Sequence, residues 1–253
     1  MKQITDNDPP HKERLSEYNL LCRYSDIRTY KDNNVEIQSK NGYINASWID
    51  LPNIHFFIAT QGPMKSTIED FWEMCFKYDV RIIIMLCKLI ENNKEKCANY
   101  WEEAKDYKID RIKEDNQLMP GLIIRQFNIQ NLINKNTKTI FQFQLETWDD
   151  HTAPIENYGK IIKLIDLIDR NKTNSPIVVH CSAGIGRTGT FISMYNLYHE
   201  ILGQMQNINT NEIIFSIMNL VRKLKEMRLY LVENLDQYKL LYQFVDLLLK
   251  QIK

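Results

Sequence analysis

Residues Val80 to Leu86 form an almost wholly apolar run, the pattern of a strand buried on both faces. Thr139 to Thr147 behaves differently, with Phe141, Phe143 and Leu145 alternating against Gln142, Gln144 and Glu146. Together with Gly121 to Ile133 and the polar turn Asn134 to Lys138, this stretch predicts an antiparallel hairpin. Helical spacing appears elsewhere. Ile68, Phe71, Trp72, Cys75 and Phe76 lie on one face behind Ser66-x-x-Glu69, which reads as a capping box. Tyr158, Ile161, Ile162, Ile165 and Ile168 form a second stripe, ended by Asn171 to Pro176. Thr210 to about Met227 and Asp236 to about Lys250 predict two more amphipathic helices, and Leu15 toward Leu21 a short one. Residues 1–14 read as a flexible lead-in and 15–253 as one domain of mixed strands and helices.

The centre of the pattern is Ile177 to Phe191. The β-branched run Ile177-Val178-Val179 predicts a buried strand ending at His180. Cys181 follows, then small residues and glycines to Arg187, and a helical pattern from Thr188. A tight loop between strand and helix can aim successive backbone N–H groups inward, and the helix adds its own unpaired donors and positive dipole end. Arg187 is placed to close such an anion cradle with paired hydrogen bonds. These donors favour the thiolate of Cys181, the nucleophilic form, and a thiolate facing a phosphate cradle attacks phosphorus. Gly184, Gly186 and Gly189 also spell the dinucleotide fingerprint G-x-G-x-x-G. That fingerprint requires a strand with a terminal acidic residue after the helix, whereas Ile201 to Thr210 reads as a polar loop leading to another helix.

Composition narrows the field. With 32 basic and 32 acidic residues in 253, no broad field for nucleic acid or an anionic membrane exists, and 44% hydrophobic residues suffice for a sizeable core. Cys22, Cys75, Cys87, Cys97 and Cys181 contain no C-x-x-C pair and no metal-type spacing, so neither disulfides nor zinc are expected, and no metal or other cofactor. The polar start, Met1 to Arg14, is neither a signal peptide nor a membrane span, and a cytoplasmic location suits a working thiolate.

His180-Cys181-Ser182-Ala183-Gly184-Ile185-Gly186-Arg187-Thr188-Gly189 resembles, at every position, the signature loop of the cysteine-dependent protein tyrosine phosphatases. Uncharged Ser182, Ala183 and Ile185 resemble the phosphotyrosine-directed members more than the phosphoinositide-directed ones, which usually carry lysines there. The resemblance spans about Leu15 to Lys250. It implies a twisted mixed sheet flanked by helices, with the signature loop between a central strand and a helix. It also implies hydrolysis of phosphotyrosine in proteins, with phosphate or other oxyanions in the loop residues Ser182, Ala183, Gly184, Ile185, Gly186 and Arg187.

Further roles follow from the same resemblance. Tyr24 walls the substrate pocket and Asp26 holds the peptide backbone. Glu91, in a loop that also carries Lys96-Cys97, braces Arg187. Trp148-Asp149-Asp150 occupies the place of the family's Trp-Pro-Asp loop, making Asp150 the general acid and later the base. Thr188 donates to the Cys181 sulfur, His180 orients the cysteine from behind, and Gln237 orients the hydrolytic water and contacts substrate. Tyr43 to Ser47, Phe57 to Pro63 and Asp70-Phe71-Trp72 resemble family framework segments.

Five departures stand out. Cys22 replaces an asparagine, Asp149 the proline, Thr152 a glycine, and Glu233 the first of two glutamines in the water-orienting loop. Tyr230 stands where some members have glycine. Losing proline loosens the acid loop, and a neighbouring carboxylate makes Asp150 harder to ionise. Glu233 would repel a dianionic substrate yet could accept a proton from water, and it predicts a slow second step. A weakly active or inactive phosphotyrosine-binding protein is therefore the alternative.

Overall fold

A computed structural model describes residues 12–15, 17–52, 55–148, 158–206 and 213–252. Among them the short strands β1 (Ala46–Ile49), β2 (Phe57–Thr60) and β3 (Ile82–Met85) precede the two-residue strands β4 (Ile90–Glu91) and β5 (Lys94–Glu95). The longer β6 (Tyr107–Asp115), β7 (Leu122–Asn131) and β8 (Thr137–Leu145) follow, and β9 (Ile177–His180) comes last. Helices α1 (Ile68–Lys77), α2 (Tyr158–Asn171), α3 (Gly186–Met205), α4 (Ile217–Met227) and α5 (Leu235–Ile252) complete the set.

Seven strands form one sheet in the order β1-β2-β9-β3-β8-β7-β6. β9 pairs in parallel with β2 and β3, and β3 with β8, while β1–β2, β6–β7 and β7–β8 are antiparallel. The fold is therefore the expected mixed α/β sheet. Its short parallel centre is apolar because both faces are covered. Along β3, Ile82 and Ile84 enter a core shared with α2, α3, α4 and α5, whereas Ile83 and Met85 enter a second core under α1. β9 divides likewise, with Ile177 and Val179 on one face and Val178 on the other. The two-residue period of a strand thus feeds two hydrophobic layers at once.

Several local expectations change. In place of the α-helix expected from Leu15 toward Leu21, the described residues show a β-bridge from Arg14 to Tyr30 and a 3-10 turn, Asn19–Leu21. Leu15 N–H donates to Thr29 O (3.1 Å) and Lys31 N–H to Glu13 O (2.8 Å), so these backbone groups are spent on a neighbouring segment, and Leu20 is left exposed. The Ser66/Glu69 capping box gives way to a 3-10 turn, Lys65–Thr67. Glu69 instead accepts the amides of Lys105 (2.7 Å) and Asp106 (3.1 Å), tying α1 to the approach to β6. α3 continues through Ile201 to Met205, past the point where the sequence turns polar, because Ile201 is fully buried. α4 begins later than the pattern suggested, at Ile217, where Ser216 Oγ accepts the Asn219 amide (3.3 Å). The sequence reading did not single out β6, whose charged residues suit a sheet edge.

Candidate active site

The Cys181–Ile185 loop joins β9 to α3 at the carboxyl end of the parallel strands, the usual place for a ligand site in such sheets. Its carbonyls are held one after another on its outer side. Cys181 O accepts from His180 Nδ1 (3.1 Å) and Ser182 O from Gly62 N–H (2.9 Å). Ala183 O and Gly184 O accept from Arg228 Nη2 (3.1 Å) and Nε (2.7 Å), and Ile185 O from Gly189 N–H (2.8 Å). Every described peptide bond is trans, so a carbonyl fixed outward turns the following N–H the other way. The amides of Ser182, Ala183, Gly184, Ile185 and Gly186 therefore face away from the partners of these carbonyls. Gly184 adopts φ +71°, and a Cβ there would lie 2.1 Å from Thr60 O, so only glycine fits.

Arg187 is 1% exposed in the first turn of α3. Its Nη1 and Nη2 donate to Glu91 Oε1 (2.8 Å) and Oε2 (3.0 Å), and Nη1 also to Trp148 O (2.9 Å). The structure thus brings together Glu91, Arg187 and Trp148, three residues far apart in the chain. Glu91 is presented by the β4–β5 turn, where its Oε1 also accepts the Lys88 amide (3.0 Å). The same hairpin leads into Lys96 and Cys97, with Lys96 N–H donating to Leu89 O (2.8 Å).

Tyr24 Oη lies 3.0 Å from Ser182 Oγ, which sets the tyrosine at the edge of the loop, and Asp26 is exposed just beyond it. Arg23 anchors this edge by donating from Nε to Gly62 O (3.2 Å) and from Nη2 to Pro63 O (2.8 Å). Cys22 takes part in the support, its sulfur accepting from Asn45 Nδ2 at 3.2 Å.

His180 is fully buried, and burial pulls it down to about 4, with Arg23 and Arg187 adding to the effect. It is a neutral ring at neutral pH. Thr188 Oγ1 is buried without a hydrogen-bond partner, so the expected bond to the Cys181 sulfur is not made in this structure. Gln237 is buried, with Oε1 accepting the Glu233 amide (2.9 Å) and Nε2 unpartnered. A methyl group on Gly186 would lie 2.7 Å from both Gln237 Nε2 and Glu233 Oε2, which places both side chains over the start of α3. The segment that aims them is strained, with Tyr230 at φ +64° and the β-branched Val232 at φ +59°. Asp149, Asp150 and Thr152 lie outside the described residues.

The family model for protein-tyrosine phosphatase matches residues 19–246. The chain belongs to the protein-tyrosine phosphatase family. It is 34% identical over 233 residues to tyrosine-protein phosphatase 2 of Dictyostelium discoideum, covering 88% of this chain and 59% of that one. It is 37% identical over 247 residues to tyrosine-protein phosphatase 69D of Drosophila melanogaster, covering 90% of this chain but 16% of the relative. This phosphatase-family chain thus spans less than two thirds of either relative. Among solved structures, the catalytic domain of human protein tyrosine phosphatase non-receptor type 18 superposes with a TM-score of 0.81 at 28% identity, over 90% of this chain and 84% of that one. The same protein has been solved in complex with HER2 phosphopeptides.

Within this phosphatase-family fold, Arg228, which opens the loop to Tyr238 that resembles the family's water-orienting loop, was given no role of its own by sequence reasoning. It is fully buried, and beyond the two loop carbonyls it donates to Asn45 Oδ1 (2.7 Å). Its partners are distant in the chain, so nothing local in the sequence signals its burial. Tyr100 and Gln142, which lead to His180, were missed for the same reason. Among the described residues no group of His, Cys, Asp and Glu is arranged to hold a metal, and no helix is long and apolar enough to cross a membrane.

Proposed function

We propose that this chain hydrolyses phosphotyrosine in proteins through a cysteinyl phosphate at Cys181. The observation that carries the reading is the Cys181–Ile185 loop itself, whose carbonyls are all held outside while Glu91 clamps Arg187 at its rim. In this reading the phosphate enters the loop, and its equatorial oxygens take hydrogen bonds from the inward amides and Arg187. Cys181 Sγ bonds to phosphorus as the P–O bond to tyrosine breaks, and Asp150 protonates the leaving oxygen. Water then attacks phosphorus, the P–S bond breaks, and its proton passes to Asp150. Thr188, with an uncommitted hydroxyl, donates to the departing thiolate, and Gln237 Nε2 orients the water. Tyr24 forms the wall that a phosphotyrosine ring reaches across and a phosphoseryl side chain does not, and Asp26 holds the peptide. Residues 15–253 form the catalytic domain in this assignment. The reaction calls for no cofactor, and a reducing cytoplasm suits five free cysteines.

A second reading, a phosphotyrosine-binding protein of feeble turnover, is favoured by one observation. Glu233 places a carboxylate over Gly186, at the end of α3 that would otherwise favour an anion. The test is release of phosphate from a phosphotyrosyl peptide at several pH values, with a phosphoseryl peptide and Cys181→Ser as controls. Turnover lost in Cys181→Ser and absent on phosphoserine supports the enzyme. Tight peptide binding without turnover makes the chain a phosphotyrosine reader.

A further inference from the structure

A buried line of hydrogen bonds reaches the signature loop from the far side of the sheet, and each of its links has a fixed direction. Arg125 on β7 is 7% exposed, held by Glu114 Oε2 (2.8 Å) and stacked over Trp101 with its guanidinium carbon 4.8 Å from the ring centroid. A guanidinium only donates. Its Nη1 donates to Gln142 Oε1 (2.7 Å) and to Gln144 Oε1 (2.7 Å). With its oxygen committed to a cation, Gln142 must turn its amide nitrogen to Tyr100 Oη, 2.5 Å away. Tyr100 Oη receives that proton and sends its own onward to His180 Nε2 (3.1 Å), Met85 Sδ at 3.9 Å being a weak competitor. A ring nitrogen that accepts carries no proton, so the proton of neutral His180 resides on Nδ1, which donates to Cys181 O (3.1 Å). Gln142, Tyr100 and His180 are all fully buried, so the links are shielded from bulk solvent.

We propose that Gln142, oriented by Arg125, is a positioning residue that selects the Nδ1–H tautomer of His180 and thereby aims the Ser182 amide at the phosphate-binding side of the loop. The aim follows from peptide planarity, because the carbonyl drawn back by His180 and the Ser182 N–H belong to one trans peptide. The catalytic consequence rests on the phosphatase reading above; the tautomer does not.

The test is Gln142→Glu. The introduced carboxylate satisfies Arg125 with one oxygen and presents the other, a second acceptor, to Tyr100. Tyr100 then gives its proton to the carboxylate, His180 must protonate Nε2, and bare Nδ1 faces the Cys181 carbonyl. Long-range proton–nitrogen NMR of histidine-labelled protein reads the tautomer directly. Wild type is expected to show Nδ1–H for His180 and Gln142→Glu to show Nε2–H. Vanadate affinity and kcat/KM fall about 10- to 100-fold, less than the roughly 100- to 1,000-fold cost of removing an anion-hole donor outright. Arg125→Gln, one link further out, moves the same readouts in the same direction by less and serves if Gln142→Glu does not fold. Wild-type protein with the proton on Nε2, or folded variants that leave the tautomer unchanged, overturns the proposal. If the tautomer switches and vanadate affinity falls but wild type shows no turnover on phosphotyrosyl peptide, the relay stands and the phosphatase reading fails.

Discussion

Arg187 keeps its charge out of water because both oxygens of Glu91 face it in a bidentate pair. Removing one member of such a pair leaves an uncompensated buried charge. Glu91→Ala is expected to cost roughly 3 kcal/mol, read as a lower urea midpoint, together with a loss of kcat/KM as Arg187 leaves its position. Equal midpoints for variant and wild type would show that the pair contributes nothing. Glu233, whose carboxylate lies over Gly186, is expected to have the opposite effect under the proposed function. A like charge about 4 Å from an anion costs ~1 kcal/mol even at the dielectric constant of water. Glu233→Gln should therefore tighten vanadate binding roughly fivefold or more. It should also abolish an initial burst of product by speeding the second step. A burst of unchanged size in the variant would count against Glu233 as the cause of slow hydrolysis.

At the scale of elements, the β9–loop–α3 unit works because three neighbours grip the loop from outside. β2 runs into Gly62, the turn after α4 supplies Arg228, and His180 closes from the strand itself. The grip demands close approach. Gly184→Ala would put a methyl group 2.1 Å from Thr60 O at a left-handed φ, so the loop must move or the strand must. A loss of about 2 kcal/mol or more in thermal unfolding is expected, with vanadate affinity falling in parallel. Retention of full oxyanion affinity would mean that the loop tolerates movement away from β2. Helix boundaries are decided at this scale too. α3 outruns its polar sequence because Ile201 has a core to enter, whereas Leu20 is left exposed and Asn19–Leu21 forms only a 3-10 turn.

For the whole molecule, acid stability is expected to fall in two windows. Burial first, then the charges of Arg23 and Arg187, depress His180 to about 4, below its ordinary value of 6.5. The folded state therefore favours the neutral ring. Stability is whole above pH 6.5 and declines by roughly 3 kcal/mol as pH falls to about 4. Asp169 acts lower. Burial raises its pKa, but hydrogen bonds from His199, Lys172 and Tyr195 outweigh burial and hold it well below the usual carboxylate range. Its contribution is present above an ordinary carboxylate's pKa of about 4 and is lost as pH falls toward the depressed folded value. Urea midpoints from pH 7.5 to 2.5 check both windows. Asp169→Asn should flatten the lower window and leave the upper one unchanged, and a wild-type curve flat between pH 6.5 and 4 would contradict the His180 assignment.

The order and kind of most elements were legible because local pattern carries them. The apolar run of β3, the alternation of β8 and the stripes of α1 and α2 record burial by period alone. The signature loop was legible as chemistry, since a cysteine, small residues and an arginine between strand and helix have few other uses. What period cannot record is a polar side chain buried against a distant partner. Gln142 and Gln144 read as the water-facing side of an alternating strand, yet both are buried because Arg125, Tyr100 and the Cys87 carbonyl satisfy them. Arg228 is hidden in the same way, its partners lying at Asn45, Ala183 and Gly184. The sequence by itself determined the kind of most strands and helices and singled out the candidates for phosphorus chemistry, because both depend on neighbours along the chain. Only the tertiary structure decided which way the loop amides face and how His180 is tied to Arg125, because those depend on hydrogen-bond directions between groups that meet only when the sheet is assembled.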